Sequence, residues 1–251
     1  MNSISFKIVV FFSLFAIGCS PAYYKPNLMT TPNFREKGEV HLAGHWADAG
    51  YDVEAAYAIT NNIFVQGSIM VQSAKGSSSS SSSGSSNQTA YTVKGQLGEV
   101  AVGYFMPVKK YGTLSVCGGY GSGYVNNNWA TDGTSSANIS KLFIQPSIGV
   151  RRKRFDLILS AKLANLTYSN LSQNYKQQSF VEQFNALKSP IPIFESATVL
   201  RFGSENIKVQ LSASSVSLLK RNESFRYEGS SLGLGLCVQL NPKKDFKTPA
   251  Q

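Results

Sequence analysis

The chain has 251 residues, a charged fraction of only 15% and a formal net charge of +10. This length allows one large all-β domain or two small domains, and the low charge is unlike that of an ordinary soluble domain. A basic balance alone is compatible with nucleic-acid binding. The export signal described next argues against nucleic acid as a partner and favours anionic lipid headgroups.

The first predicted element is a signal peptide over residues 1–18. Lys7 precedes an apolar run, Ile8–Ile17, which is too short to span a bilayer and has the length of a signal-peptide core. The residues that follow, Ala16-Ile17-Gly18-Cys19, resemble the lipobox of bacterial lipoproteins. The resemblance implies cleavage before Cys19 and covalent acyl chains on that residue. The alternative is an ordinary secretory signal with an unrelated cysteine, and the chain is exported in both cases.

Residues 19–37 contain three prolines and show no hydrophobic periodicity. We predict a lipidated, extended N-terminal tether, with Tyr23, Tyr24 and Phe34 as contacts to the membrane surface. An ordinary linker is the alternative interpretation.

From Gly38 onward, apolar and polar residues alternate with the period of a β-strand. No later apolar stretch approaches the ~20 residues of a transmembrane helix. Pro146 lies inside one predicted strand and favours a bulge or a weakened ladder there. The ten predicted strands are Glu39–Ala47, Tyr51–Ile59, Ile63–Ala74, Tyr91–Met106, Thr113–Val125, Lys141–Val150, Phe155–Tyr168, Ile193–Phe202, Ile207–Leu218 and Ser231–Leu240.

The connections between these strands differ in length. The serine-rich stretch Gly76–Asn87 is predicted to be a flexible, exposed loop because it contains nothing that could bury apolar surface. Asn126–Ser140 is predicted to be a polar loop. The longest connection, Ser169–Pro192, contains Ser179-Phe180-Val181-Glu182, which has the form of a capping box. It predicts a short helix near Phe180–Leu187.

An even strand number, with short connections alternating with long ones, is typical of bacterial outer-membrane barrels. The chain resembles these proteins over residues 38–240, and the closing strand carries a similar end pattern at Gly235, Val238 and Leu240. The resemblance implies an all-β, antiparallel, up-and-down transmembrane β-barrel of about ten strands, with a basic tail at 241–251. With its lipobox, the chain also resembles small outer-membrane lipoproteins of Bacteroidetes-type bacteria. A soluble, lipid-anchored β-sandwich that binds glycans remains an alternative.

The even strand number would place both barrel ends on the periplasmic side of the cell outer membrane. Basic residues cluster at the short turns, for example Lys109, Lys110 and Arg151–Arg154, where they would meet outer-membrane lipids. We expect the acyl anchor on Cys19 to lie on this side, beside the basic turns.

Charged residues on the inward face predict a polar network that fills a narrow lumen, because unpaired buried charges are costly. The predicted members are Glu39, His41, Glu54, Glu99, Lys162, Glu195, Arg201 and Lys208. His41 and His45 are the only histidines. They allow an alternative function as a barrel hydrolase acting on lipid or peptide, although no nucleophile stands out. On one strand they lie roughly 13 Å apart, so we expect no shared metal.

Cys117 and Cys237 fall on strands five and ten, opposite walls of a ten-strand barrel. They are therefore predicted to be free thiols. The glycine-rich stretch Gly118–Gly123 lacks the strand–turn–helix context of a phosphate loop, and no cofactor is expected. The preferred hypothesis is a non-enzymatic outer-membrane lipoprotein with a structural or surface-interaction role, whose surface ligand the sequence does not identify.

Overall fold

The computed structural model describes residues 22–47, 50–82 and 85–241, and the side chains of these ranges except at 77–89. The signal peptide, Cys19 and the tail beyond Asn241 lie outside the described residues. Within them, one helix, α1 (Gln178–Asn185), and a 3-10 turn (Ala186–Lys188) accompany ten strands. The strands are β1 (Val40–Ala47), β2 (Gly50–Ala58), β3 (Ile63–Ser82), β4 (Ser85–Val108), β5 (Gly112–Trp129), β6 (Gly133–Arg151), β7 (Phe155–Gln173), β8 (Ile191–Gly203), β9 (Ile207–Leu218) and β10 (Ser230–Leu240).

The strands form one antiparallel sheet in which each pairs with the next, and β1 pairs with β10 to close the barrel. The predicted closed, up-and-down antiparallel barrel is confirmed, and the alternative of a two-sheet sandwich is wrong. None of the helices in the described ranges has the length and apolar character needed to cross a membrane.

The two faces of the sheet differ in chemistry: the outer face is largely apolar, and the inner face is mixed. On β10, Leu232, Leu234 and Leu236 are about half exposed on the outside, whereas Ser231 and Cys237 are buried inside. Period-two alternation therefore turns apolar side chains outward, and the inward face carries the buried polar and charged side chains together with buried apolar ones such as Phe64, Phe105 and Ile193. Outward aromatic residues lie towards strand ends: Trp46 and Tyr51 beside the β1–β2 connection, and Tyr57, Tyr104 and Phe202 at the opposite ends.

The barrel has two distinct ends. The turn end carries four short connections, at residues 59–62, 109–111, 152–154 and 204–206, and the paired barrel termini Val40 and Leu240. The loop end carries the connections after β1, β3, β5, β7 and β9, of which the last two are long, at 174–190 and 219–229.

Two predicted loops are instead strand. Ser77–Ser82 pairs with Ser85–Ala90 as a continuation of the β3–β4 ladder, and Asn126–Trp129 pairs with Gly133–Ser136. Ladder hydrogen bonds join backbone groups and need no apolar side chain. Hydrophobic alternation therefore found only the part of each strand with an apolar outer face, and missed the polar extensions at the loop end.

One local prediction needs correction, and another is confirmed in one of its two forms. The helix forms, but Gln177 is its N-cap and makes no side-chain capping bond, so the predicted capping box is absent. At Pro146 the β6–β7 ladder passes from Ile144–Leu163 to Ser147–Ser160 with unchanged register, which is a weakened ladder without a bulge. Proline has no N–H to donate, so the pairing is interrupted but the strand stays in phase.

Candidate functional site: the barrel lumen

The lumen is occupied by the N-terminal segment of the chain itself. Residues 22–39, called the plug from here on, run through the barrel. Every residue over 23–34 is buried, and Tyr23, Tyr24 and Phe34 are at most 1% exposed. The expectation of a tether with aromatic contacts to the membrane surface is therefore wrong for this segment. A closed barrel offers aromatic rings a dry interior, and burial there removes more apolar surface from water than contact with an interface would.

The plug begins at the loop end. The Ala22 carbonyl accepts a hydrogen bond from Asn127 near the end of β5, and the Tyr23 carbonyl accepts one from the Tyr168 hydroxyl. The backbone of Tyr23 and Tyr24 pairs with Arg226–Glu228 in the β9–β10 connection. Lys25 is paired with Glu228 at 2.8 Å. These contacts fix the start of the plug among the long connections.

The plug then descends to the turn end. Gln145 donates to the Thr30 carbonyl at 2.9 Å, and Arg201 donates to the Thr31 carbonyl at 2.9 Å. Lower down, Thr113 donates to the Phe34 carbonyl, and the Arg35 guanidinium donates to the Lys109 carbonyl in a short turn. The chain then enters β1. A segment without secondary structure leaves backbone carbonyls without ladder partners, and inward side chains of the barrel supply the donors.

A buried ionic network lies beside the part of the plug that is nearer the loop end. Lys141 Nζ contacts Glu99 Oε1 at 2.7 Å, Glu195 Oε2 at 3.0 Å and the Tyr24 hydroxyl at 2.8 Å. Lys162 Nζ contacts Glu99 Oε2 at 2.7 Å and lies 3.8 Å from Glu195. The Tyr24 hydroxyl also donates to Glu195. The two lysines and two glutamates thus come from four different strands, and their formal charges cancel.

A second cluster, called the histidine cluster, joins β1, β2 and β10. Glu54 Oε1 lies 3.2 Å from His41 Nε2 and 3.8 Å from His45 Nε2. On its other side, His41 Nδ1 lies 3.4 Å from Cys237 Sγ. Thiol, imidazole and carboxylate therefore stand in the order found in nucleophilic sites. Cys237 is 1% exposed and His41 is fully buried, so the described structure offers this thiol no path for a substrate.

Ion pairs also close the turn end. Arg151 pairs with Glu39 at 2.9 Å, and Lys208 pairs with Asp156 at 2.7 Å. Burial raises the pKa of the Glu39 carboxyl above its ordinary value, while the Arg151 guanidinium and the Arg35 backbone N–H act in the opposite direction. The base of the plug is therefore held by charged groups of the barrel wall.

An aromatic lid covers the loop end. Trp129 stacks on Tyr91 at 4.8 Å between ring centroids and contacts Phe180 of α1 at 5.1 Å. Phe184 of the same helix contacts Tyr23 of the plug at 6.0 Å. The connection after β7 thus folds over the lumen instead of projecting away from it. Burial raises the pKa of the Tyr175 phenol beneath this lid, where Ser135 is its hydrogen-bond partner.

The eight inward residues named from the sequence all lie buried at the lumen. Glu99, Lys162 and Glu195 lie in the network, His41 and Glu54 in the histidine cluster, and Glu39 and Lys208 at the turn end. Arg201 belongs to none of these groups and donates to Thr31 of the plug and to Gln210 on β9. Sequence reasoning missed the partners Lys141, Asp156, Cys237 and Tyr24. The alternation of β6 and β7 did carry a signal for Lys141 and Asp156, since both share the parity of the inward residues of their strands.

Both described cysteines are free thiols, as predicted, and both are buried. The two histidine rings converge on one carboxylate despite the spacing of their backbones. Among the residues with described positions, no three His, Cys, Asp or Glu side chains are grouped to hold a metal ion.

No protein-family model matches the sequence, and no curated protein matches it. The fold is similar to solved barrels: OprG from Pseudomonas aeruginosa (9% identity, 82% of this chain and 98% of that chain, TM-score 0.37), the NanC porin (9%, 80% and 100%, 0.40), and the translocator domain of the autotransporter NalP from Neisseria meningitidis (10%, 83% and 89%, 0.41). Because these identities do not exceed 10% and these TM-scores do not exceed 0.41, the functional conclusion rests on the chain's own geometry.

Proposed function

We propose that this protein is a non-enzymatic outer-membrane β-barrel lipoprotein with a sealed lumen, which acts through its loop end in a structural or surface-interaction role. The observation that carries this proposal is the plug. A pore needs a water-filled path, and here the path is filled by residues 22–39, the ionic network and the aromatic lid.

Membrane insertion is supported by the outer surface. Large aliphatic and aromatic side chains stand exposed around the barrel, with Trp46 at 71% and Leu142 at 67% exposure. A water-soluble monomer rarely leaves contiguous apolar surface on this scale, whereas a lipid-facing band requires it. The outward aromatics near the strand ends match the interfacial girdles of membrane barrels.

In this proposal the turn end, with both barrel termini, faces the periplasm, as short turns do in outer-membrane barrels. Exposed basic side chains there, including Lys110, Arg152 and Lys153, would contact anionic outer-membrane lipids. The loop end then faces outward and presents the long β3–β4 hairpin and the β9–β10 connection to a surface partner.

Insertion and sealing can be tested separately. A Cys19→Ser variant cannot be acylated, and we expect it to resist carbonate extraction and to show heat-modifiable gel mobility. Its release into the soluble fraction would overturn membrane insertion. The full-length protein in planar lipid bilayers should give no ion conductance. Steady conductance from the purified chain would overturn the sealed lumen, and a variant lacking residues 22–34 serves as the positive control for an opened barrel.

A barrel hydrolase is the second candidate function, favoured by the alignment of Cys237, His41 and Glu54. Burial of the thiol argues against it. We expect His41→Ala and His45→Ala strains to retain unchanged lipid and peptide composition in the outer membrane. A cleavage product that disappears in either strain, while the barrel remains folded, would favour the hydrolase.

A further inference from the structure

We propose that the chain threads its own barrel from the outside inward, so that the lipid on Cys19 is anchored in the external leaflet of the outer membrane. This rests on the proposed function, in which the loop end faces outward. It reverses the expectation that the anchor lies beside the basic turns.

The direction of the plug carries the inference. Its first described residue, Ala22, is bound by Asn127 at the loop end, and its last residues, from Arg35 to Glu39, are bound by the turn end. The intermediate contacts follow in chain order, with Gln145 at Thr30 and Arg201 at Thr31. The plug therefore crosses the whole lumen once, with its first described residue at the loop end and its last residues at the turn end.

Chain length decides where Cys19 can be. Only Ser20 and Pro21 separate Cys19 from Ala22. Over these three residue steps an extended chain covers at most about 3.6 Å per step, or about 11 Å in total. The apolar band of a membrane barrel is ~25 Å tall. Cys19 therefore cannot return to the turn end, and the lumen that it would have to pass already contains the plug.

The contacts of the plug fix its position along the barrel axis. Tyr24 belongs to the ionic network through Lys141 and Glu195, and Lys25 pairs with Glu228 of the β9–β10 connection. Withdrawal towards the turn end would remove the contacts of Lys141 and Glu195 with the Tyr24 hydroxyl and those of Arg201 with Thr31. Buried polar groups that lose hydrogen-bond partners are costly. The barrel is expected to close around the segment during assembly, with the acylated end left outside.

The test uses a recognition site for a large site-specific protease, inserted between Pro21 and Ala22 of the full chain, with palmitate labelling of growing cells. Matched insertions stand in the β9–β10 connection, between Arg221 and Asn222, and in the turn between Lys153 and Arg154. Heat-modifiable mobility verifies that each barrel has folded. Protease added to intact cells should cut the first two sites and spare the third, and cutting at Pro21–Ala22 should remove the palmitate label from the barrel.

Cutting at Pro21–Ala22 only after permeabilisation, or not at all, would overturn the inference while the cut at Arg221–Asn222 upholds the barrel orientation. A loop site that resists protease on intact cells would instead contradict the proposed orientation. If the insertion prevents folding, Ala22→Cys with a membrane-impermeant maleimide replaces it. Labelling of intact cells, as for Glu223→Cys and unlike Lys153→Cys, supports external exit, and labelling only after permeabilisation overturns it.

Discussion

Replacing Lys141 by Met tests whether the lumenal network acts as one electrostatic unit. Lys141 contacts Glu99, Glu195 and Tyr24 at 2.7 to 3.1 Å and is fully buried. The network has two positive and two negative groups. The substitution therefore leaves the network with a net charge of −1 in an interior that water does not reach. Removing one partner of a buried pair costs about 3–5 kcal/mol, and we expect the free energy of unfolding to fall by about that amount.

A double variant separates charge imbalance from lost packing. In Lys141→Met with Glu195→Gln, Glu99 and Lys162 remain as a neutral pair at 2.7 Å. The double variant should therefore be more stable than the sum of the two single effects predicts, with a coupling of about 1–3 kcal/mol. Lys94→Met removes an equal charge from an exposed site and should change stability by no more than about 0.5 kcal/mol.

The assay is urea unfolding of the barrel in lipid vesicles, followed by Trp fluorescence and by the folded fraction on cold gels. Trp46 and Trp129 are the two tryptophans of the chain. A Lys141→Met protein as stable as Lys94→Met would refute the claim that the network is buried and mutually dependent. Strictly additive effects in the double variant would show that the lysine acts through packing alone.

Two further predictions concern packing and access. Gly103→Ala should lower stability by about 1–3 kcal/mol, because the added Cβ would meet the Phe64 ring and lie 2.7 Å from Cys117 Cβ; Gly44→Ala, with nothing within 4 Å, is the matched control in the same unfolding assay. The thiols of Cys117 and Cys237 should react with a thiol reagent at least about a hundredfold more slowly in the folded barrel than in urea. Rapid reaction of Cys237 alone in the folded protein would reveal an open path to the histidine cluster.

The barrel was predictable because its outer face repeats a simple chemical requirement. Most outward positions in the apolar part of the strands hold apolar side chains at every second residue, as Leu232, Leu234 and Leu236 do on β10. The polar ends of β3 to β6 lack this requirement, since they extend beyond the apolar band. Only their backbone ladders define them there, and a serine run such as Ser77–Ser82 carries no alternation that a sequence pattern could detect.

The lumenal network was only half predictable, for a different reason. Parity along a strand shows which residues point inward, and it applies to Lys141 on β6 as well as to Lys162 on β7. It does not show which inward residues share a height in the barrel. That depends on the tilt of the strands and the stagger between neighbours, so the partnership of Glu99 on β4 with Lys162 on β7 needed the closed structure.

The plug escaped prediction because it is buried without secondary structure. A helix or strand satisfies its backbone within a regular pattern, which imposes a periodicity on the sequence. The plug instead satisfies its carbonyls with barrel side chains: Gln145 at Thr30, Arg201 at Thr31 and Arg151 at Asn33. The path of the plug is therefore determined by inward side chains on strands that are distant in sequence. A sequence can indicate such a segment only indirectly, through inward hydrogen-bond donors that have no acceptor on the barrel wall.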